Sequence, residues 1–308
     1  MAATNDPSNA QHQLQWYDPD LEEVNAHMRH LLETYSKIPP TDVVPHINKI
    51  MTIAMPLVDD IDTDGLVRIN INRLFQRASG FASNPYPCIG YYRFLNLTLL
   101  GHPLYQSIIS RLASNPSALY IDLGCCFGQD MRQLVLDGVP SSQLVGVDIE
   151  GPLIQLGYDL FRDQPTLQSK FVIADIFQGE AQGECWTGLV AKGADVVHCS
   201  AFFHLFPLQE QLQAAKIIGR LVRKGGIIVG RQSGSVKPAE LPAIKPGSTS
   251  FRHDMKTWVE LWEQVGAETG TRWTVDGSLD QVGIQVGKKS AVEDENSRRL
   301  LFTITREE

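Results

Sequence analysis

Three aspartates and a short glycine turn are the residues of this chain best placed to do chemistry. The run Tyr120-Ile-Asp-Leu-Gly-Cys-Cys-Phe-Gly128 puts an acid, Asp122, at the end of an apolar stretch, two residues before a turn that contains Gly124, Cys125 and Gly128. Asp148 follows 20 residues after Gly128, at the end of the next apolar stretch, and Asp175 ends the one after that. A carboxylate at the second position can accept hydrogen bonds from both hydroxyls of a ribose. One at the third can accept from an exocyclic amino group of a base, with Ile149 and Ile176 flanking the ring. The turn does not fit the dinucleotide fingerprint G-x-G-x-x-G, because Cys126 and Gln129 stand at its second and third glycines. A ligand with a nucleoside but no pyrophosphate fits better. Ser200 ends a fourth apolar stretch and is expected to join the same site.

The elements that position these residues follow from hydrophobic period. Ala118–Leu123, Leu144–Val147, Phe171–Ala174, Ala194–Ser200 and Ile227–Gly230 read as strands. Between them lie helical stretches. Gln129–Asp137 ends at Gly138, and Leu153, Leu156 and Leu160 share a face behind Pro152. The stripe Leu208, Leu212, Ala215, Ile218, Val222 is expected to stop at Gly225-Gly226. Asp254 can cap a helix with Met255, Trp258, Leu261, Trp262 and Val265 inward, and Thr271–Val275 and Leu300–Thr305 are further β-like runs. Strand–helix alternation implies an α/β fold: a Rossmann-like doubly wound sheet, mostly parallel, with an antiparallel last strand. In such sheets ligands bind beyond the carboxyl ends of the strands, where Asp122, Asp148, Asp175 and Ser200 fall.

Residues 1–117 have another character. Residues 1–15 are polar and expected to be disordered, and 16–117 read as a helical extension forming a lid over a domain at 118–308. Its helices are expected at Leu21–Leu32, opened by Asp18-Pro19, and around 42–56, 65–79 and 102–113. The charge is uneven. Residues 1–65 hold 3 Lys/Arg and 11 Asp/Glu, whereas 66–121 hold five arginines (Arg68, Arg73, Arg77, Arg93, Arg111) and no acid. The net charge of −8 argues against nucleic-acid binding. No apolar run approaches about 18 residues, and MAATNDPSNAQHQLQW lacks the basic start and apolar core of a secretory signal, so a cytoplasmic protein without a membrane span is expected. The five cysteines, Cys88, Cys125, Cys126, Cys185 and Cys199, have no C-x-x-C spacing, so they read as reduced thiols and no metal site is expected.

The pattern acid-x-G-x-(Cys126)-x-G resembles motif I of class I S-adenosylmethionine-dependent methyltransferases, with a cysteine at the middle glycine. Arg223-Lys-Gly-Gly226 is similar to the turn that family often carries before its fifth strand. IDLGCCFGQDMRQL, LVGVDIE, GYDLFRD, AFFHLF, IIVGRQ and YPCIGYYRFLNL resemble, over about residues 85–262, the fungal meroterpenoid-type methyltransferases of secondary metabolism. The resemblance implies S-adenosylmethionine as cofactor, methyl transfer to a carboxyl or hydroxyl oxygen of a small aromatic or terpenoid intermediate, and a homodimer. A carboxylate acceptor is ionised at neutral pH and needs only positioning, whereas a phenol, with a pKa of about 10, needs a base. His204, after the fourth strand, is the candidate base; His198, inside that strand, reads as a core or rim histidine. Arg93 and then Arg231 are the candidates to hold an anionic acceptor, since guanidinium pairs with carboxylate bidentately. Trp16, Tyr17, Tyr91, Tyr92 and Phe94 suit a lid over an apolar ring. A protein of this fold that binds the cofactor without transferring methyl, such as a cyclase, isomerase or regulatory partner, would carry the same acids.

Overall fold

The computed structural model describes residues 21–54, 87–178, 183–243, 247–281 and 294–308. The expectations for residues 1–15, for Trp16 and Tyr17, and for a helix at 65–79 with Arg68, Arg73 and Arg77 lie outside the described residues.

The described residues form nine strands, and all but β6 and β7 follow the expected rhythm. The strands are β1 (Tyr120–Leu123), β2 (Leu144–Asp148), β3 (Lys170–Ile173), β4 (Ala194–His198), β5 (Val222–Ser235), β6 (Ala239–Pro242), β7 (Thr249–Arg252), β8 (Trp273–Gln281) and β9 (Ser297–Arg306). Seven form one sheet in the order β3-β2-β1-β4-β5-β9-β8. The first five are mutually parallel, and β9 runs antiparallel to both β5 and β8. Strand order reverses between β1 and β4, which opens a crevice at their carboxyl ends. The β6–β7 hairpin, not expected from the sequence, forms a separate two-stranded sheet.

The helices are α1 (Ala26–Thr34), α2 (Val43–Ala54), α3 (Tyr105–Ser114), α4 (Gln129–Leu136), α5 (Gly151–Phe161), α6 (Glu184–Lys192), α7 (Leu208–Leu221) and α8 (Met255–Thr269), with a single turn at Pro87–Gly90. Asn25 opens α1, its side chain accepting from the Met28 N–H, so the start lies later than Asp18-Pro19. Asp254 and Thr257 form a reciprocal capping box on α8. α7 ends at Leu221, before Gly225-Gly226, because Val222 already pairs with Ala194 of β4 and the glycines lie within β5. No described helix is long and apolar enough to cross a membrane.

Both faces of the sheet are covered, as a parallel sheet requires. Ile121, Val197 and Ile228 pack with Ile218 of α7 and with Trp258, Leu261 and Trp262 of α8. Tyr120, Val196 and Val229 pack with Ile108 and Leu112 of α3 and Met131 and Leu134 of α4. The extension has its own core. Met28, Leu31, Leu32, Ile47 and Ile50 of α1 and α2 pack on Leu153, Leu156 and Leu160 of α5 and on Phe127 from the glycine turn. Each such side chain contributes about 1.5–3 kcal/mol.

Candidate functional site

The turn after β1 is held by the neighbouring strand and by two charged side chains. The Gly124 and Cys125 N–H groups both donate to Val147 O, at 2.8 and 3.1 Å. Gly124 (φ +71°) and Gly128 (φ +66°) take left-handed backbone. A Cβ on Gly128 would stand 2.5 Å from Arg132 Nη1, so that position has no room for a side chain. Cys126 is left-handed too (φ +54°), although it is not glycine. Its N–H donates to Asp148 Oδ2 at 2.7 Å, which ties the turn to the end of β2. Five described non-glycine residues have positive φ, and three cluster here: Cys126, Tyr92 beside Arg93, and Ala201 beside Ser200. Strained backbone of this kind persists where surrounding structure fixes it.

The third acid lines a shallow cleft, and the second stands beside it at the end of β2. Asp148 is half-buried, and its other oxygen accepts the Glu150 N–H at 2.9 Å. Burial raises its pKa, against the lowering effect of those two N–H donors. Asp175 accepts the Phe177 N–H at 3.0 Å and is half-buried beside it. Ile149, Ile173, Ala174, Asp175 and Gln178 border this open cleft, of about 330 Å³. Ile149 and Ile173 are 54% and 66% exposed, an unusual degree of exposure for isoleucine and what a flat apolar base would cover. Ile176, expected to flank that base, is instead 5% exposed and packed in the core with Trp186. It lies beyond the end of β3, where the chain turns back inward, and Ile173 takes the expected place.

Two other expectations change. Cys125 is buried among Met131, Leu134 and Ile154, and burial pushes its thiol pKa far up, so it offers the cleft its backbone only. Asp122 is 4% exposed and faces inward, with Oδ1 2.8 Å from His198 Nδ1. It lies behind the glycine turn rather than on the cleft surface. His198 Nε2 in turn lies 2.8 Å from Ser200 Oγ, so Asp122 and Ser200 are joined through a histidine.

Beyond β4 the surface becomes basic and aromatic. His204 lies in the turn Phe203–Leu205 and its Nδ1 is buried with no hydrogen-bond partner among the described residues. Burial, then Arg252 and Arg93, hold its pKa well below the ordinary value of 6.5. It is therefore a neutral imidazole and a weak base. Arg252, on β7, donates from Nη1 to His204 O at 2.6 Å. Burial lowers Arg252 to about 10, and burial with Arg299 and Arg93 nearby lowers Arg231. Among the described residues no carboxylate lies within ion-pair distance of Arg231 or Arg252. Arg93 lies over the Tyr91 ring, 5.4 Å from its centroid. The structure thus gathers Arg93, Arg231 and His204 in one region and adds Arg252, which sequence reasoning missed because β6 and β7 gave it no address. Phe202, Phe206 and Phe177 form an aromatic wall, with centroids 5.4 and 5.1 Å apart in succession, and Phe202 lies against Gly124.

A nucleoside bearing an amino-acid arm, as in S-adenosylmethionine, fits these residues. The half-buried Asp148 stands beside an apolar cleft lined by a second acid, and Gly124 adds no side chain of its own to the turn. The comparisons with known proteins agree. Residues 121–230 match the model of a methyltransferase domain, and residues 16–54 match that of a meroterpenoid methyltransferase N-terminal domain. The fold and site define an S-adenosylmethionine-dependent methyltransferase. O-methyltransferase phiE of a fungal species is 38% identical, over 84% of this chain and 78% of its own. O-methyltransferase atr3 of Stereocaulon alpinum is 35% identical, over 94% and 75%. The Asnovolin E/Chermesin D methyltransferase nvfJ of Aspergillus novofumigatus is 35% identical, over 84% and 83%. The chain belongs to this family of fungal O-methyltransferases of secondary metabolism.

Proposed function

We propose that the enzyme methylates a carboxylate of an apolar, ring-containing acceptor, and that it does so by positioning rather than by base catalysis. The observation that carries this reading is the gathering of Arg93, Arg231 and Arg252 near His204, with no carboxylate within ion-pair distance of Arg231 or Arg252 among the described residues. Bound S-adenosylmethionine supplies an electrophilic methyl on a sulfonium. Asp148 and Asp175 hold the ribose hydroxyls and the base amino group, Ile149 and Ile173 flank the base, and the Gly124–Gly128 backbone and Ser200 receive the amino-acid arm. Arg93 and Arg231 would orient the acceptor carboxylate toward the methyl that the bound cofactor would supply. Phe202, Phe206 and Phe177 cover the acceptor ring and exclude water. His204 packs against the acceptor and takes no proton, because a carboxylate has none to give.

The reading extends to a lid formed by residues 16–117, to a cytoplasmic enzyme with reduced thiols, and to a homodimer, which light scattering in solution tests. For the reaction itself, labelled S-adenosylmethionine is supplied with aromatic and terpenoid carboxylic acids and with their amides, and products are identified by mass. Methyl esters from the acids and nothing from the amides are expected. Methylation of a neutral phenol in preference to every acid would overturn the carboxylate reading. Arg93→Glu is expected to raise the acceptor KM at least tenfold, and an unchanged KM removes Arg93 from the site.

A further inference from the structure

His198 is 2% exposed, yet its ring is hydrogen-bonded at both nitrogens. Nδ1 lies 2.8 Å from Asp122 Oδ1. Nε2 lies 2.8 Å from Ser200 Oγ and 3.1 Å from Thr98 Oγ1. With Asp130 as a carboxylate, donor bookkeeping assigns the protons. Thr98 gives its hydroxyl hydrogen to Asp130 Oδ2 at 2.9 Å, so toward His198 its oxygen can only accept. Nε2 must carry a hydrogen. A carboxylate also only accepts, so Nδ1 facing Asp122 must carry one too. Asp130 Oδ1 takes the Leu99 N–H at 2.9 Å; burial raises its pKa, and His198 with the Leu99 and Thr98 donors acts to lower it, so the pair is ionised together. The ring is therefore an imidazolium set between Asp122 on β1 and Asp130 on α4. Burial alone would strip its proton, and Arg231 on β5 acts in the same direction, but Asp122 and Asp130 outweigh both and raise its pKa. His102, from the extension, also acts electrostatically with it and is itself lowered by burial.

The position of Ser200 gives this charge a use. Asp122 and His198 are register partners, so Gly124 and Ser200, two residues further along each chain, stand level at the mouth of the crevice. We propose that His198 is a positioning residue: its imidazolium donates to Ser200 Oγ and so turns the serine's own hydrogen outward, as a donor to the carboxylate of the cofactor's amino-acid arm. The same N–H holds Thr98, which pins the extension over this end of the sheet. The inference rests on the cofactor site proposed above and goes further, in assigning a ligand atom to Ser200 and a role to His198, Thr98 and Asp130.

The test needs no acceptor. S-adenosylhomocysteine has the amino-acid arm and methylthioadenosine lacks it; both are titrated calorimetrically. Ser200→Ala is expected to weaken S-adenosylhomocysteine about tenfold, about 1.4 kcal/mol, within what one hydrogen bond to a charged group supplies, and to leave methylthioadenosine unchanged. His198→Gln is expected to give the same split, and the double variant to be no weaker than His198→Gln alone, because the two residues act as one. Equal loss for both nucleosides, no loss for either, or additive losses would overturn the proposal. Failure of the unsubstituted enzyme to bind methylthioadenosine would instead overturn the nucleoside cleft of the preceding section. Should His198→Gln not fold, nitrogen NMR of the native ring still decides. Two protonated nitrogens at neutral pH are expected, and one bare nitrogen refutes the imidazolium.

Discussion

Asp163→Ala is expected to be among the most damaging single substitutions outside the cleft. Arg132 is 0% exposed and makes a bidentate pair with Asp163, Nε to Oδ2 at 2.8 Å and Nη2 to Oδ1 at 3.0 Å. The rings of Phe161, Tyr158 and Phe171 surround its guanidinium, with centroids 4.8, 5.5 and 5.6 Å away. Its remaining reach goes to the cofactor turn, where Nη1 donates to Phe127 O at 2.7 Å. Removing the carboxylate leaves a buried cation with only those carbonyls, at a cost of about 3–5 kcal/mol. Tyr35 loses its acceptor as well, since its hydroxyl donates to Asp163 Oδ2 at 2.8 Å, which adds about 1 kcal/mol. At about 2–4 °C per kcal/mol for a chain of this size class, the melting temperature should fall by about 8–24 °C. Denaturant unfolding at fixed pH measures the loss, and Tyr35→Phe measures the hydroxyl's share. A loss below about 1 kcal/mol would mean that water reaches Arg132 and that the pair is not buried in solution. A second arm separates stability from function. Replacing the pair by Arg132→Met with Asp163→Leu should recover much of the stability. Affinity for S-adenosylhomocysteine should stay low, because Phe127 O loses the donor that shapes the turn.

Two further expectations concern the turn and its acid. Hydroxyl donors favour the ionised form of Asp148, whose pKa burial raises; S-adenosylhomocysteine affinity should therefore fall as pH drops through a range above that of an ordinary aspartate, about 4. Binding in that range should release a proton, seen as a dependence of the calorimetric heat on buffer ionisation, and a proton count of zero there would remove Asp148 from the ribose. For Cys126, a left-handed non-glycine costs about 1–2 kcal/mol, offset by about 0.5–1 kcal/mol of unfolded-chain freedom in glycine. Cys126→Gly should thus be neutral to slightly stabilising and Cys126→Val clearly destabilising in denaturant titrations; the reverse order would make side-chain packing against the extension the larger effect.

Much of this site was legible because it depends on local sequence. β1 is a short apolar run closed by a glycine turn, and Asp148 ends β2 after a helix of ordinary length, so both could be placed by counting. What could not be read depends on distant partners. Asp122 turns inward because of His198, 76 residues away, and a buried acid at a strand end has the same local sequence as an exposed one. Ile173 and Ile176 are equally apolar, and only the edge position of β3 decides that the first is open and the second covered. β6 and β7 have four residues each, and β6 holds a glutamate and a proline, too little to register as a strand. Arg252 was lost with them. The Asn25 cap was missed because Asp18-Pro19 is an equally good opening signal, and what fixes Asn25 is its Nδ2 donating to Leu95 O, 70 residues on, at 2.6 Å.

The same long-range contacts bear on what the extension is for. A lid that merely closes over a finished site would touch it through side chains at the surface. Here Phe127, in the middle of the cofactor turn, is 0% exposed within the extension's own core, edge-on to Phe94 at 4.7 Å between centroids. Cys126 packs against that core, and Tyr35 completes the Asp163–Arg132 pair that supports the turn. On the other side Thr98 and the Leu99 N–H occupy both oxygens of Asp130 and reach His198. The turn is therefore gripped by the extension at two places, through an apolar core and through a charged network. A truncated domain starting at β1 would keep Asp148 and Asp175 but lose Phe94 against Phe127, Tyr35 on Asp163 and Thr98 on His198. The extension thus supports the turn from behind, and whatever it does for the acceptor is added to that.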